Sequence, residues 1–99
     1  MAHSTHHQEY RLLMTLLREV RRELGVTQIE LGQRLENTQT FVSKVERGER
    51  RLDVVEFVEF CEAIGAPPQE VFARFIKQRQ EAGTPRLKKA AAGKRTRPA

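Results

Sequence analysis

The chain has one cysteine, Cys61, among 99 residues. A single thiol cannot close an internal disulfide, and a reducing cytoplasm suits such a chain best. No apolar run approaches the ~18 residues that a bilayer demands, so no membrane span is expected. The opening residues, MAHSTHHQEYR, lack the apolar core of a signal peptide. The strict apolar–polar alternation of a half-buried strand is missing throughout. His3 and His7 stand four apart, but no ligand set surrounds them or His6, so neither a metal nor another cofactor is expected. Cys61 reads as a small buried apolar residue. No nucleophile–base pair argues for catalysis, so no enzyme is expected.

What is present is charge, unevenly placed. The net charge is +5. Residues 1–83 hold all 13 acids and 12 of the 18 Lys and Arg, which leaves that part near neutral. Residues 84–99 hold the other six cations and no acid. This tail, TPRLKKAAAGKRTRPA, has too few apolar residues to fold alone, so disorder is expected there. Its charge suits nucleic acid or an anionic surface; the plainer reading is a solubilising tail.

Glycines divide the rest. Gly25, Gly48, Gly65 and Gly83 each follow an apolar-periodic segment, where a helix-ending residue belongs. With a turn at Glu36-Asn37 they mark out five helices, so the fold class is all-α. Residues 1–4 are expected to be disordered, and one domain covers residues 5–83. Helix 1 runs from about Thr5 to Leu24, with Leu13, Leu16, Leu17, Val20 and Leu24 as its stripe. Helix 2 opens on a capping box, Thr27 with Glu30, and carries Leu31 and Leu35 on one face. Gly32 lies beside them. An interior helix glycine costs ~1 kcal/mol relative to alanine, which suggests that another helix backbone passes close. Helix 3 spans 38–47, with Thr38 as N-cap and Val42 and Val45 facing inward. Helix 4 starts at a second capping box, Asp53 with Glu56, and ends at Ile64. Val54, Phe57, Phe60, Cys61 and Ile64 should face its core, with Val55 and Val58 off that face. Helix 5 starts at Pro68, a good first-turn residue, and its stripe is Val71, Phe72, Phe75 and Ile76.

Residues 27–48, TQIELGQRLENTQTFVSKVERG, therefore read as two short helices across a tight turn. From Arg21 to Gly48 the pattern R-x-x-x-G-V-T-Q-x-x-L-G-x-x-L…F-V-S-K-V-E-R-G resembles the Cro and phage-repressor type of helix-turn-helix regulator, the xenobiotic-response-element family. A weaker match continues to about Phe72. The resemblance implies a compact lambda-repressor-like domain and a DNA-binding transcriptional regulator of bacterial or phage origin, working in the cytoplasm. One departure stands in the turn. The family usually has glycine and then an apolar residue there, and this chain has Glu36-Asn37. Asn37 tolerates the left-handed region, so the turn can still form.

A major groove admits one α-helix and displays distinct donor and acceptor patterns. Gln39, Thr40, Ser43 and Lys44 are polar, stand near the start of helix 3 and share its outer face. Gln can pair with adenine, Lys with guanine, and the Thr methyl with thymine's; the family resemblance assigns base contact to the same face. The alternative is an ordinary solvated face. Gln28 matches a family glutamine that bonds a backbone phosphate at a helix N-terminus. Arg47, Arg50, Arg51 and Arg34 could contact phosphates or be free surface charges. Arg21 and Glu46 match a family ion pair joining helix 1 to the end of helix 3. Phe41 either packs against the loop at 50–55 or meets a thymine methyl.

Three functions compete. The first is a sequence-specific regulator binding double-stranded DNA as a homodimer, acting as a repressor. The family commonly pairs through its last helix. In this chain a seam of Phe75 and Ile76 with Tyr10, Leu13 and Met14 of the extended helix 1 is expected. The second is an antitoxin-type or other protein-interaction module that also binds DNA. The third is non-specific nucleic-acid binding driven by the tail.

Overall fold

The computed structural model describes residues 3–83, with the side chains of 8–83. The expected disorder of the tail at 84–99, and of the first two residues, falls outside the described residues. Five helices follow one another: α1 His3–Glu23, α2 Gln28–Arg34, α3 Gln39–Glu46, α4 Val54–Ile64 and α5 Pro68–Glu81. The described residues contain no strand. None of these helices is long and apolar enough to cross a membrane. α1 begins at His3, two residues ahead of the expected start, and takes in part of the stretch expected to be disordered.

Local chemistry starts the helices. At α2 the Glu30 amide donates to Thr27 Oγ1 at 3.0 Å, and the Thr27 amide donates to Glu30 Oε1 at 2.9 Å. At α4 the Glu56 amide donates to Asp53 Oδ1 at 2.7 Å, and the Asp53 amide to Glu56 Oε1 at 2.9 Å. Thr38 caps α3 through the Phe41 amide at 3.0 Å. Each capped end satisfies amides that the helix itself leaves unbonded.

The core gathers Met14, Leu16, Leu17 and Val20 of α1, Leu31 of α2, Val42 and Val45 of α3, Phe60, Cys61 and Ile64 of α4, and Val71 of α5. Burial pushes the Cys61 thiol up to about 11, which keeps it protonated and inert near neutrality. The amino-terminal extension of α1 lies along α5, where Arg79 Nε donates to Glu9 Oε1 at 3.0 Å.

Three stripe residues leave the core. Leu24 falls one residue past α1 and is 50% exposed, because the chain turns at Gly25 before Leu24 can point inward. Val54, first residue of α4, is 78% exposed, and Phe72 is 47% exposed. Those two line an open apolar groove of about 620 Å3 between α1, α4 and α5, together with Tyr10, Leu13, Phe57 and Val58. Phe72 meets Phe57 edge-on, with ring centroids 6.1 Å apart. The helical periodicity is right, but α1 does not close over the outer end of the stripe.

The turn between α2 and α3 differs from expectation. Glu36, not Asn37, takes the left-handed conformation, at φ 57°. It closes a Schellman ending: the Glu36 amide donates to the Gln33 carbonyl at 3.0 Å and the Asn37 amide to the Gly32 carbonyl at 2.8 Å. Gly48 fills the same position after α3, at φ 79°. Asn37 serves by its side chain instead, taking the Thr38 amide on Oδ1 at 2.8 Å.

Candidate nucleic-acid interface

The angle between α2 and α3 is set at Gly32. A Cβ there would stand 3.0 Å from the carbonyl carbon and oxygen of Thr38. The backbone at the start of α3 thus rests directly on α2. This is the close approach expected from an interior helix glycine.

One polar chain then crosses the three helices. Arg21 of α1 is buried, and its Nη1 donates to the Val26 carbonyl at 2.8 Å. Its Nε and Nη2 grip both oxygens of Glu46, at 2.6 and 3.0 Å. The two side chains are only 9% and 3% exposed. Glu46 Oε1 also accepts from Gln28 Nε2 at 2.9 Å. Gln28 Oε1 in turn accepts from Gln39 Nε2 at 3.3 Å. The order is α1, α3, α2, and back to the first residue of α3. A buried bidentate pair of this kind loses more when halved than it contributes net, so its value here is in fixing register. It orients Gln28 at the start of α2 and, through it, Gln39.

The outer face of α3 presents Gln39, Thr40 and Lys44 to solvent, with Ser43 half-buried. Ser43 Oγ accepts from Arg47 Nη1. Phe41 is half-buried against the core, and the Arg50 guanidinium lies over its ring, 5.2 Å from the centroid. Phe41 is therefore in contact with the loop that follows α3.

The arginines divide by engagement. Arg47 grips Glu49 with Nε and Nη2 at 3.0 and 3.2 Å, which holds the Glu49 carboxyl below its ordinary range. Arg50 donates Nη2 to Glu56 Oε2 at 2.8 Å and lowers Glu56 in the same way. Both pairs are exposed. Ion pairs open to solvent contribute little to stability, so a phosphate can take over either guanidinium. Arg51 lies over the Tyr10 ring, 4.5 Å from its centroid. Arg34 bonds within the fold. Its Nη1 donates to the Ala63 carbonyl at 2.8 Å, near the end of α4. A cation belongs at a helix C-terminus, and this exposed bond ties α2 to α4.

Tyr10 has a role that its sequence position did not reveal. Its hydroxyl accepts the Leu52 amide at 2.9 Å and donates to the Arg50 carbonyl at 3.3 Å. Burial raises the hydroxyl's pKa, opposed by that amide and the two arginines. Tyr10 thus clamps the loop after α3 onto α1. Only the helical extension, with one aromatic at its inner face, hinted at it. Met14, expected beside Tyr10 in a dimer seam, is 1% exposed and sits wholly in the core. It is not available to a partner. Leu13, Phe75 and Ile76 are half-buried.

Comparison with known proteins agrees with this arrangement. A family model described as "Helix-turn-helix domain" matches residues 13–75. No curated protein matches the chain. Among solved structures, an "XRE-family like protein" from Pseudomonas syringae pv. tomato str. DC3000 is 44% identical, with a TM-score of 0.71 over 85% of this chain and 96% of that one. The clp gene regulator ClgR from C. glutamicum is 26% identical, with a TM-score of 0.64 over 71% and 91%. The restriction-modification controller protein C.AhdI from Aeromonas hydrophila is 28% identical, with a TM-score of 0.61 over 68% and 97%.

Proposed function

This chain belongs to the XRE type of helix-turn-helix family, whose members are DNA-binding transcriptional regulators and not enzymes, and on that premise we propose that it is a dimeric repressor reading the major groove with α3. The observation that carries the reading is the polar chain from Arg21 to Gln39. It holds the first side chain of the reading helix in register with the buried core. Gln39, Thr40, Ser43 and Lys44 read bases, and Gln28, Arg34, Arg47, Arg50 and Arg51 hold phosphates. The protein needs no cofactor and works in the cytoplasm.

One reading helix covers few base pairs, so one domain alone binds weakly. Two domains on a two-fold axis read half-sites about 34 Å apart. The seam is built from Tyr10, Leu13, Phe75 and Ile76, beside the open groove of α1, α4 and α5. That exposed apolar surface supports a partner, since monomers rarely leave a large one bare. The same groove favours a second reading, in which another protein occupies it and the module also binds DNA.

Selection from a random duplex library, with sedimentation of the protein alone and with its selected duplex, tests the proposal. A palindromic sequence bound by two chains is the expected result. An asymmetric site bound by one chain overturns the dimer. Absence of any preferred sequence overturns base reading.

A further inference from the structure

A polar cleft of about 420 Å3 lies between α1 and the end of α3. Arg11, Thr15 and Arg18 line it from α1, Glu46 and Arg47 from the end of α3, and Glu49 from beyond it. Both carboxylates are already engaged. Glu46 is held by Arg21 and Gln28, and Glu49 by Arg47. Arg11 and Arg18 are exposed and have no ion pair or hydrogen bond with any described residue. The cleft thus contains two guanidiniums whose charge is not neutralised locally.

Their placement is specific. Positions 11, 15 and 18 share one face of α1, opposite the buried leucines. Seven residues of helix put the two arginines roughly 10 Å apart along the axis, with Thr15 between them on the cleft lining. A Cβ on Gly48 would stand 4.0 Å from Arg11 Cγ, so this row passes the C-terminal end of the reading helix. Gln28 stands at the other end, bonded to Gln39. A major groove is bordered by a phosphate backbone on each side. Arginine's planar fork suits phosphate oxygens, and a hydroxyl can add a further donor.

We propose that Arg11, Thr15 and Arg18 form a phosphate-binding subsite that takes the sugar–phosphate backbone flanking the bases read by α3. The proposal rests on the DNA-binding reading given above. It assigns α1 a direct part in DNA binding, beyond its part in the core.

The test compares wild type with the Arg11→Gln/Arg18→Gln double variant. Binding to the selected duplex and to random duplex is titrated against salt, and phosphate ethylation interference is mapped on the selected duplex. Each neutralised phosphate contributes about 0.9 to the slope of log K against log salt. The double variant should lose roughly two units of slope per protomer, and roughly tenfold or more in affinity for both duplexes. Its preferred sequence should not change. Interference should vanish at one small set of phosphates and persist elsewhere. An Arg74→Gln/Lys77→Gln variant removes equal charge from α5 and should keep the wild-type slope. A wild-type slope and interference map in the Arg11/Arg18 variant would overturn the subsite while leaving DNA binding intact. Equal slope losses in both variants would overturn it in favour of net charge. A wild-type protein that binds no duplex overturns the DNA reading itself.

Discussion

The α2–α3 face and the α1–α4–α5 face of this domain are built by opposite means. On the first, polar groups are tied to one another from the core outward, so that Arg21, Glu46, Gln28 and Gln39 form one connected row. On the second, Val54, Phe57 and Phe72 line an open groove whose floor is apolar side chains, with the two rings packed edge to face. Bonds with direction suit a surface that must present donors and acceptors at set positions. An apolar groove sets shape but no register, and it suits a protein partner. The two faces share one element, α1, which supplies Arg21 to the first and Tyr10 and Leu13 to the second.

The largest break in that contrast is at Glu46. Glu46→Ala strands the buried Arg21 guanidinium, and about 3–5 kcal/mol of stability should go in urea titrations. Replacing both partners, as Arg21→Met/Glu46→Leu, should cost far less. That double variant should nevertheless bind its site poorly, because Gln28 loses its anchor. If both partners can be replaced with no loss of binding, the row does not position the reading helix.

Gly32→Ala is next. The added Cβ presses on Thr38 backbone at 3.0 Å. Overpacking costs about 1–3 kcal/mol, and the better helix propensity returns only about 1. A net loss of roughly 1 kcal/mol, with specific binding falling more than non-specific, is expected from denaturation and gel shift. An alanine variant with full specificity would mean that α3 tolerates a shift.

Glu36→Gly runs in the other direction. A left-handed residue with a side chain costs roughly 1–2 kcal/mol, and glycine removes that cost while loosening the unfolded chain. A gain of about 0.5–1 kcal/mol should appear as a higher melting temperature. No gain would mean that the Glu36 side chain compensates for its backbone.

Acid gives the smallest effect. Glu49 and Glu56 have carboxyls held below their ordinary range by hydrogen bonds from Arg47 and Arg50, and Glu30 by the Thr27 amide. Their contribution is complete above the ordinary carboxylate pKa of about 4.3. It is lost as pH falls through the lower folded values. A shallow decline in stability below roughly pH 4 is expected, removed in part by Glu56→Gln.

Much of this was readable from residues alone, wherever one residue's own chemistry decides. Thr27, Thr38 and Asp53 begin helices because their oxygens reach amides three residues on, and Gly32 marked a close approach. Readings failed where a distant element decides. The bond from Arg34 to the Ala63 carbonyl has no local signal, because α4 supplies the acceptor. Met14 and Leu13 are neighbours in sequence, yet only the depth of α4 and α5 beneath them separates core from groove. Val54 and Phe72 kept the right periodicity but lie where no helix covers them. Residue type favours Asn37 for the left-handed position, because asparagine tolerates that region better than glutamate. The Schellman count from α2's last turn puts that conformation at 36 regardless of residue type. Arg11 and Arg18 carry no local signal, because a charged outer face is ordinary and only the fold brings the end of α3 beside it.

The central claim, that α3 reads bases from a register set by the core, is tested most directly at Gln39 and Lys44. Affinities of wild type, Gln39→Ala and Lys44→Ala should be measured on the selected duplex, on its single-base variants and on random duplex, at one salt concentration. Each variant should lose ~1–3 kcal/mol on the selected duplex, relax its preference at one base position, and bind random duplex nearly as before. Unchanged discrimination at every base position in both variants would contradict the account.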